Sequence, residues 1–474
     1  MNRKSLKTLS TAVVSILITV MLTSSVVRVT GSVRAAPGDV TRISIDSLGT
    51  QANNASKRPS TSGDGRFIAF ESDASNLVLG DTNASTDIFV RDRQTGETTR
   101  VSVSSSGAEA NEGSGGAAIS GDGRYVAFVS DASNLVANDT NNTTDIFVRD
   151  RQTGMTIRVS VSSSGEQAND FSDFPLSISS DGRFVAFNSD ASNLVANDTN
   201  GTTDIFVHDN QTGTTERISV ASDGAQANST SFVPSISANG QFIVFTSRAS
   251  NLVFGDTNNA TDIFLRDRQM GTTTRVSINS SGIEANQGAL EGSISGNGRF
   301  VAFSSSSSNL MSEETSGLDY VYIHDRQTGT TTLVSLYSDG FLMVGRSRTP
   351  SISFDGRYVA FAFDDRGDGL PLQEIYIRDR QTGATIRASN GGTGGEDSSF
   401  GPAISADGRI TAFWSLSGRL VLGDTNGTSD AFVYEVNFGP DLYPTVVSVV
   451  PLCGSACSIP SPSSVSFRER FLSQ

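Results

Sequence analysis

The chain is poor in the residues from which metal and nucleophile sites are most often built: its 474 residues include 2 Cys, 2 His and 1 Trp, and Lys57 is the single lysine beyond residue 35. Cys453 and Cys457, the only pair, have no His nearby and cannot complete a four-ligand zinc site. In an oxidising compartment they are placed to close a small disulfide. Basic charge is also scarce. Five of the 35 Lys and Arg fall in residues 1–35, leaving 30 against 50 Asp and Glu, a net charge of −20. That balance excludes nucleic acid as an expected partner and suits solubility, cations or a basic partner. At 36% hydrophobic and 18% charged residues, the chain is neither membrane-filling nor the highly charged kind that stays disordered.

A long apolar run occurs once. Arg3, Lys4 and Lys7 precede an uncharged stretch from Thr8 to Val27, and Val33-Arg-Ala35 offers small residues for cleavage before Ala36. This is the three-part plan of a secretory signal over 1–35. The alternative is an uncleaved anchor, since about 20 uncharged residues just span a bilayer. Either way the body is expected outside the cytoplasm, secreted or periplasmic, with no stable membrane insertion once the signal is removed. No Cys near the cleavage region indicates a lipid anchor.

What the chain has in abundance is repetition. Asp64-Gly-Arg-Phe-Ile-Ala-Phe70 returns at Asp122, Asp181, Asn239, Asn297, Asp355 and Asp407, with spacings of 58, 59, 58, 58, 58 and 52. Asp87-Ile-Phe-Val-Arg-Asp-Arg93 keeps step at Asp145, Asp204 and Asp262, and less closely at Tyr320, Glu374 and Asp430. Such regularity means one supersecondary unit copied seven times. Each unit reads as four strands. A short first strand such as Pro234-Ser-Ile-Ser237 meets an Asp-Gly or Asn-Gly pair fit for a tight hairpin. The second and third, Arg183 to Asn188 and Asp204-Ile-Phe-Val207, are apolar on both faces. The fourth, Arg100-Val-Ser-Val103, alternates as an outer strand does.

Middle strands hidden on both faces require each sheet to lie between copies of itself, which radial stacking into a β-propeller provides. A linear solenoid needs polar caps at its ends. Here instead Thr41-Arg-Ile-Ser-Ile45 matches a fourth strand such as Thr99-Arg-Val-Ser-Val103, while the last unit stops after its third strand, Asp430-Ala-Phe-Val433. The expected fold is therefore all-β: a seven-bladed propeller of four-stranded antiparallel blades over 39–437, its ring closed by the N-terminal strand with Ile43 and Ile45 beside Phe432. Residues 438–474 carry no repeat and are expected as a loosely ordered tail.

The sequence of a Ser- or Pro-led strand, Asp-Gly-Arg, Phe-Val-Ala-Phe, Asp-Ile-Phe-Val-x-Asp and Thr-Thr-Arg-Val-Ser resembles the propeller repeat of the TolB family across all seven units. The family's namesake acts in the Tol–Pal envelope system, binds a peptidoglycan-associated lipoprotein, and has a separate α/β domain and six blades. Seven repeats without that preceding domain imply an exported TolB-like propeller rather than the Tol–Pal component, and no partner-binding residue carries across.

Between second and third strands, acidic loops recur: Asp81, Asn83 and Asp87; Asp139, Asn141 and Asp145; Asp198, Asn200 and Asp204; Asp256, Asn258 and Asp262; Asp424, Asn426 and Asp430. Oxygens at the first, third and seventh places suit Ca²⁺ if the backbone adds carbonyls. With Gly201 and Gly427, two loops partly resemble the calcium loops of integrin-type propellers but lack the leading Asp. The alternative is that Asp and Asn simply make side-chain-to-backbone turns. Units five and six break the pattern, with Ser312-Glu-Glu-Thr315 and Asp364-Asp-Arg-Gly-Asp368. A second loop, Gln51-Ala-Asn53 and its copies at Glu109, Gln167, Gln226 and Glu284, joins blades on the same face, as a binding surface or as a satisfied junction. His208 and His324 stand in slots held elsewhere by Arg91, Arg149, Arg266 and Arg378, on different blades, and are expected at surface or packing positions rather than together in one pocket. Trp414 is expected in the core. No Gly-x-Ser-x-Gly elbow or phosphate loop is present. The expected function is a non-catalytic scaffold for a protein or glycan ligand. The alternative is a carbohydrate-active propeller enzyme, a lyase or hydrolase, working with carboxylates.

Overall fold

The computed structural model describes residues 38–312, 317–365, 373–390 and 398–436. Residues 1–35, expected as a signal, the tail 438–474 with Cys453 and Cys457, and parts of the unit-five and unit-six loops lie outside the described residues. Residues 1–437 and 438–474 divide into two units.

Seven four-stranded antiparallel sheets succeed one another. Blade one is Ser56–Thr61, Phe67–Ser72, Asp87–Asp92 and Glu97–Arg100, and the next five repeat it. Blade seven takes Ser399–Ile404, Ile410–Ser415 and Asp430–Glu435 from the end of the repeat region and Val40–Arg42 from its beginning. Val40 pairs with Tyr434, Thr41 with Val433 and Arg42 with Phe432, and the Ile43 amide donates to the Ala431 carbonyl at 2.8 Å. The ring is thus closed by the N-terminal strand. The ladder stops sooner than the sequence suggests, because Ile45 leaves it and bridges to Gln51.

The same departure ends the fourth strands of blades one to five early. In blade one the strand finishes at Arg100, and Val103 bridges back to Glu109. The intervening turn reaches the outer strand of the next blade: Ser105 Oγ accepts from the Thr156 amide at 2.9 Å and donates to the Thr156 carbonyl. Ser47 does the same for Thr98, and Ser163 for Thr215. A strand edge that would template pairing with another chain is covered in this way. His208 and His324 belong to this girdle. Each ring Nδ1 lies 2.9 Å from a threonine hydroxyl, Thr215 and Thr331, the bond that Arg91 makes to Thr98 in blade one.

Second and third strands carry the core. Ile68, Ala69, Phe70, Ile88, Phe89 and Val90 are all fully buried. The apolar clusters lie between blades: Ala69, Ile88 and Val90 pack with Val126 and Phe128, while Ile43, Ile68 and Phe70 pack with Ala412 and Val433 across the closure. Burying one such Phe is worth about 1.5–3 kcal/mol, so leaving any sheet face uncovered is expensive.

The first hairpin uses its Gly rather than its Asp for the left-handed turn. Gly123 has φ +73°, and an added Cβ would come within 2.1 Å of the Phe67 ring in the preceding blade. Asp122 instead accepts the Ser120 hydroxyl and the Arg124 amide. The Arg of the Asp-Gly-Arg phrase then makes a two-pronged bond to the Asp that ends the third strand, as Arg124 does to Asp150 at 2.9 and 2.6 Å.

Candidate functional site

Acidic loops and blade junctions share one face. The predicted ligand positions do converge, but around a guanidinium. Arg217, at the end of the fourth strand of blade three, lies 2.8 Å from Asp198 and 3.3 Å from Asp204. Arg100 meets Asp81, Asp87 and Glu109 at 3.5, 3.2 and 2.8 Å. Arg158 faces Asp139 and Asp145, and Arg275 faces Asp256, Asp262 and Glu284. In blade seven the cation comes from the other end of the chain: Arg42 sits 3.2 Å from Asp424 and 3.3 Å from Asp430, so the clasp also locks the ring.

The third-place asparagines supply hydrogens there rather than oxygens. Asn200 Nδ2 donates to Asp204 at 2.8 Å and to the Ala227 carbonyl at 3.0 Å. Asn141 and Asn258 do the same to Asp145 and Asp262. A serine hydroxyl completes the set, as Ser102 does on Asp87. Burial raises the carboxyls of Asp87, Asp204 and Asp262 above their usual range, against the pull of serine and arginine. A hard cation wants lone pairs converging on it, whereas here amide and hydroxyl hydrogens already point at the carboxylates. Among the described residues no group of three or more His, Cys, Asp or Glu is arranged to hold a metal ion.

Sequence reasoning passed over the arginine, although the signal was present. Blade five carries Tyr320 where the other blades have an acid, Asp in five of them and Glu374 in blade six, and Leu333 where they have the Arg; both pack into the same apolar cluster. Acid and base are replaced together within one chain, as partners are.

The junction asparagines are reciprocal staples. Asn53 accepts from the Ser75 amide at 3.0 Å while its own amide donates to Asn76 Oδ1 at 2.9 Å. Asn111, Asn169, Asn228 and Asn286 repeat this.

First strands line the centre, and their bulges open side chains at the mouth on this face. Blade three has one residue more than its neighbours, and Phe174 leans over Gly116 of blade two until the Arg58 guanidinium of blade one stands 5.1 Å from its ring. Arg248 lies 5.9 Å from the Phe232 ring, and Phe400 stacks on Trp414 at 4.3 Å. Trp414 is half-buried, not in the core. The mouth carboxylates are engaged: Glu71 takes Arg58 at 3.1 Å and the Gly116 amide at 2.9 Å, and Glu291 accepts the Thr349 amide at 2.6 Å.

These features define a seven-bladed β-propeller with an aromatic and basic mouth. No protein-family model and no curated protein matches the chain. Among solved structures it is similar to an oligogalacturonate lyase in complex with manganese, at 13% identity and TM-score 0.54 over 85% of this chain and 95% of that one. The β-propeller domain of the Trilobed protease from Pyrococcus furiosus follows at 14% identity and TM-score 0.47, over 81% and 94%. TolB from Acinetobacter baumannii is similar at 15% identity and TM-score 0.39, over 70% of this chain and 63% of that one. At these identities the likeness concerns the fold alone.

Proposed function

We propose that the chain is an exported, non-catalytic propeller that holds a protein or glycan ligand at the mouth of its central channel. The observation that carries this reading is the set of four aromatic side chains Phe174, Phe232, Phe400 and Trp414 on first and second strands of a closed ring, with Arg58 on a first strand and Arg248 just past the end of a second one. Flat aromatic faces beside guanidinium groups suit sugar rings and protein side chains alike. Rigid strands hold them with little ordering cost on binding. The repeated acidic loops support the scaffold through their arginines, and Ca²⁺ is not needed to neutralise them. The TolB-like repeat and the apolar N-terminal segment support export. Among the described residues no helix is long and apolar enough to cross a membrane.

The enzyme reading draws on Glu71 and Glu291 at the mouth, whose oxygens already take neighbouring amides. Two experiments separate the readings. A glycan array and a pull-down from the native envelope or medium, run with the parent and with F400A/W414A, should show ligand captured by the parent and lost by a variant that keeps its melting temperature. Turnover of an acidic polysaccharide by the parent, abolished in E71Q, would replace the scaffold with an enzyme.

A further inference from the structure

On the face opposite the acidic loops, blades one to six present the ring that follows the Asp-Gly-Arg phrase or its equivalent to the next blade, while blade seven has Ile410 there. The repeat then covers that ring with the arginine after the third strand. Arg151 lies 4.6 Å over Phe67, Arg268 4.3 Å over Phe184, Arg326 4.1 Å over Phe242 and Arg380 4.6 Å over Phe300. Each also donates Nη1 to the carbonyl of its own hairpin glycine, at 2.5 to 2.7 Å. In the last blade the position belongs to Val436, a buried apolar side chain.

Blade three departs differently, with Asn210 in the arginine's place. Its Nδ2 reaches the Gly182 carbonyl at 2.9 Å, so the backbone bond is kept. Its Oδ1, however, is buried and has no hydrogen-bond partner. The Tyr125 ring, which holds Arg124 at 4.7 Å as its neighbours hold theirs, lacks the second guanidinium. What remains is a cavity of about 460 Å³ whose wall includes Tyr125, Asp150, Met155, Ile157 and Asn210, with Asp181 and Arg183 adding one charge of each sign. Its size falls in the range of small-ligand sites.

We propose that this cavity between blades two and three is a guanidinium-binding site that takes the side chain of an arginine supplied from outside the ring. At four other interfaces the same surroundings hold a guanidinium already. The Tyr125 ring offers the cation–π face, Asn210 Oδ1 is an acceptor that lacks a donor, and Asp150 supplies negative charge as Asp92 does toward Arg151. Met155 and Ile157 give the aliphatic stem an apolar wall, where blade three's own fourth strand has Glu216 for Arg268. The strongly acidic chain favours approach of a basic polypeptide. This site is independent of the channel mouth.

The test is calorimetric titration of the full chain with N-acetyl-arginine amide, the citrulline counterpart of equal shape without charge, and the peptide Gly-Arg-Gly. The arginine probe should bind at least ~10-fold more tightly than the citrulline probe. N210R, which restores the repeat's own arginine, should raise the melting temperature and abolish binding. Y125L should weaken binding without filling the cavity, so the result does not hang on one variant. Tighter binding of the peptide than of the capped amino acid assigns the arginine to a polypeptide; equal binding shows that the site reads the side chain alone. Equal affinity for arginine and citrulline probes, absence of binding, or binding retained by folded N210R overturns the proposal.

Discussion

Replacing Arg217 by Met keeps most of the side chain's bulk and removes the charge that Asp198 and Asp204 face. Their side chains are 6% and 1% exposed, and the arginine's is 10%. Removing one partner of a buried pair costs about 3–5 kcal/mol, because the survivors stay desolvated without compensation. Ser219 and Asn200 still donate to Asp204, which places R217M near the lower end, about 3 kcal/mol at pH 7. The pH dependence has a definite sign. Burial raises both carboxyls above their unfolded values, so the folded state gains as they take up protons on acidification, and that gain is lost as pH rises through the folded pKa. Losing the guanidinium raises them further. The deficit of R217M should therefore be largest at pH 7 and shrink toward pH 4.5. Urea unfolding of parent and variant at both pH values, in EDTA and in Ca²⁺, measures this. The parent should unfold at the same midpoint in both buffers. A parent clearly stabilised by Ca²⁺, or an R217M chain within about 0.5 kcal/mol of the parent at pH 7, would show that the guanidinium is not what neutralises these loops.

Two further variants probe the opposite face. Gly123→Ala should cost about 2–4 kcal/mol in urea unfolding, since it combines a disfavoured positive φ with a Cβ driven into the Phe67 ring; near-neutral behaviour would deny that contact. Asp325 is held below its ordinary range by the two-pronged Arg299 bond, which outweighs burial. Its folded pKa is depressed, so its contribution is present above the unfolded value and lost as pH falls. D325N should lower stability at pH 7 by about 1–3 kcal/mol and flatten the acid-side decline between pH 5 and 3, and an unchanged slope would contradict the assignment.

The seven repeats, the doubly buried middle strands and the exchange that closes the ring were legible because each rests on side-chain period, which a single sequence displays. The ends of the fourth strands were not. Val101 and Val103 alternate with Ser102 and Ser104 as a strand would, yet the alternation serves two different purposes: Val101 is buried, Ser102 bonds Asp87, and the backbone has already turned toward the next blade. Ile45 misled for the same reason. The acidic loops were legible as clusters but not as clasps, because the cation comes from another strand. Only the paired replacement by Tyr320 and Leu333 in blade five records that link in sequence. The cavity beside Tyr125 depends on Asn210 standing where the repeat has arginine, a difference of one residue whose meaning appears only once the neighbouring blade is in place.

Ring closure bears on all of this, since the blade-seven clasp and one inter-blade core both depend on the N-terminal strand. Hydrogen exchange followed by mass spectrometry tests it directly. Amides of residues 40–43 should be protected as strongly as those of Glu97–Arg100, and protection of 430–435 should fall when Ile43 is replaced by Asp. Exchange of 40–43 at the rate of an unstructured peptide, with 430–435 indifferent to the substitution, would contradict a ring closed by its own N-terminal strand.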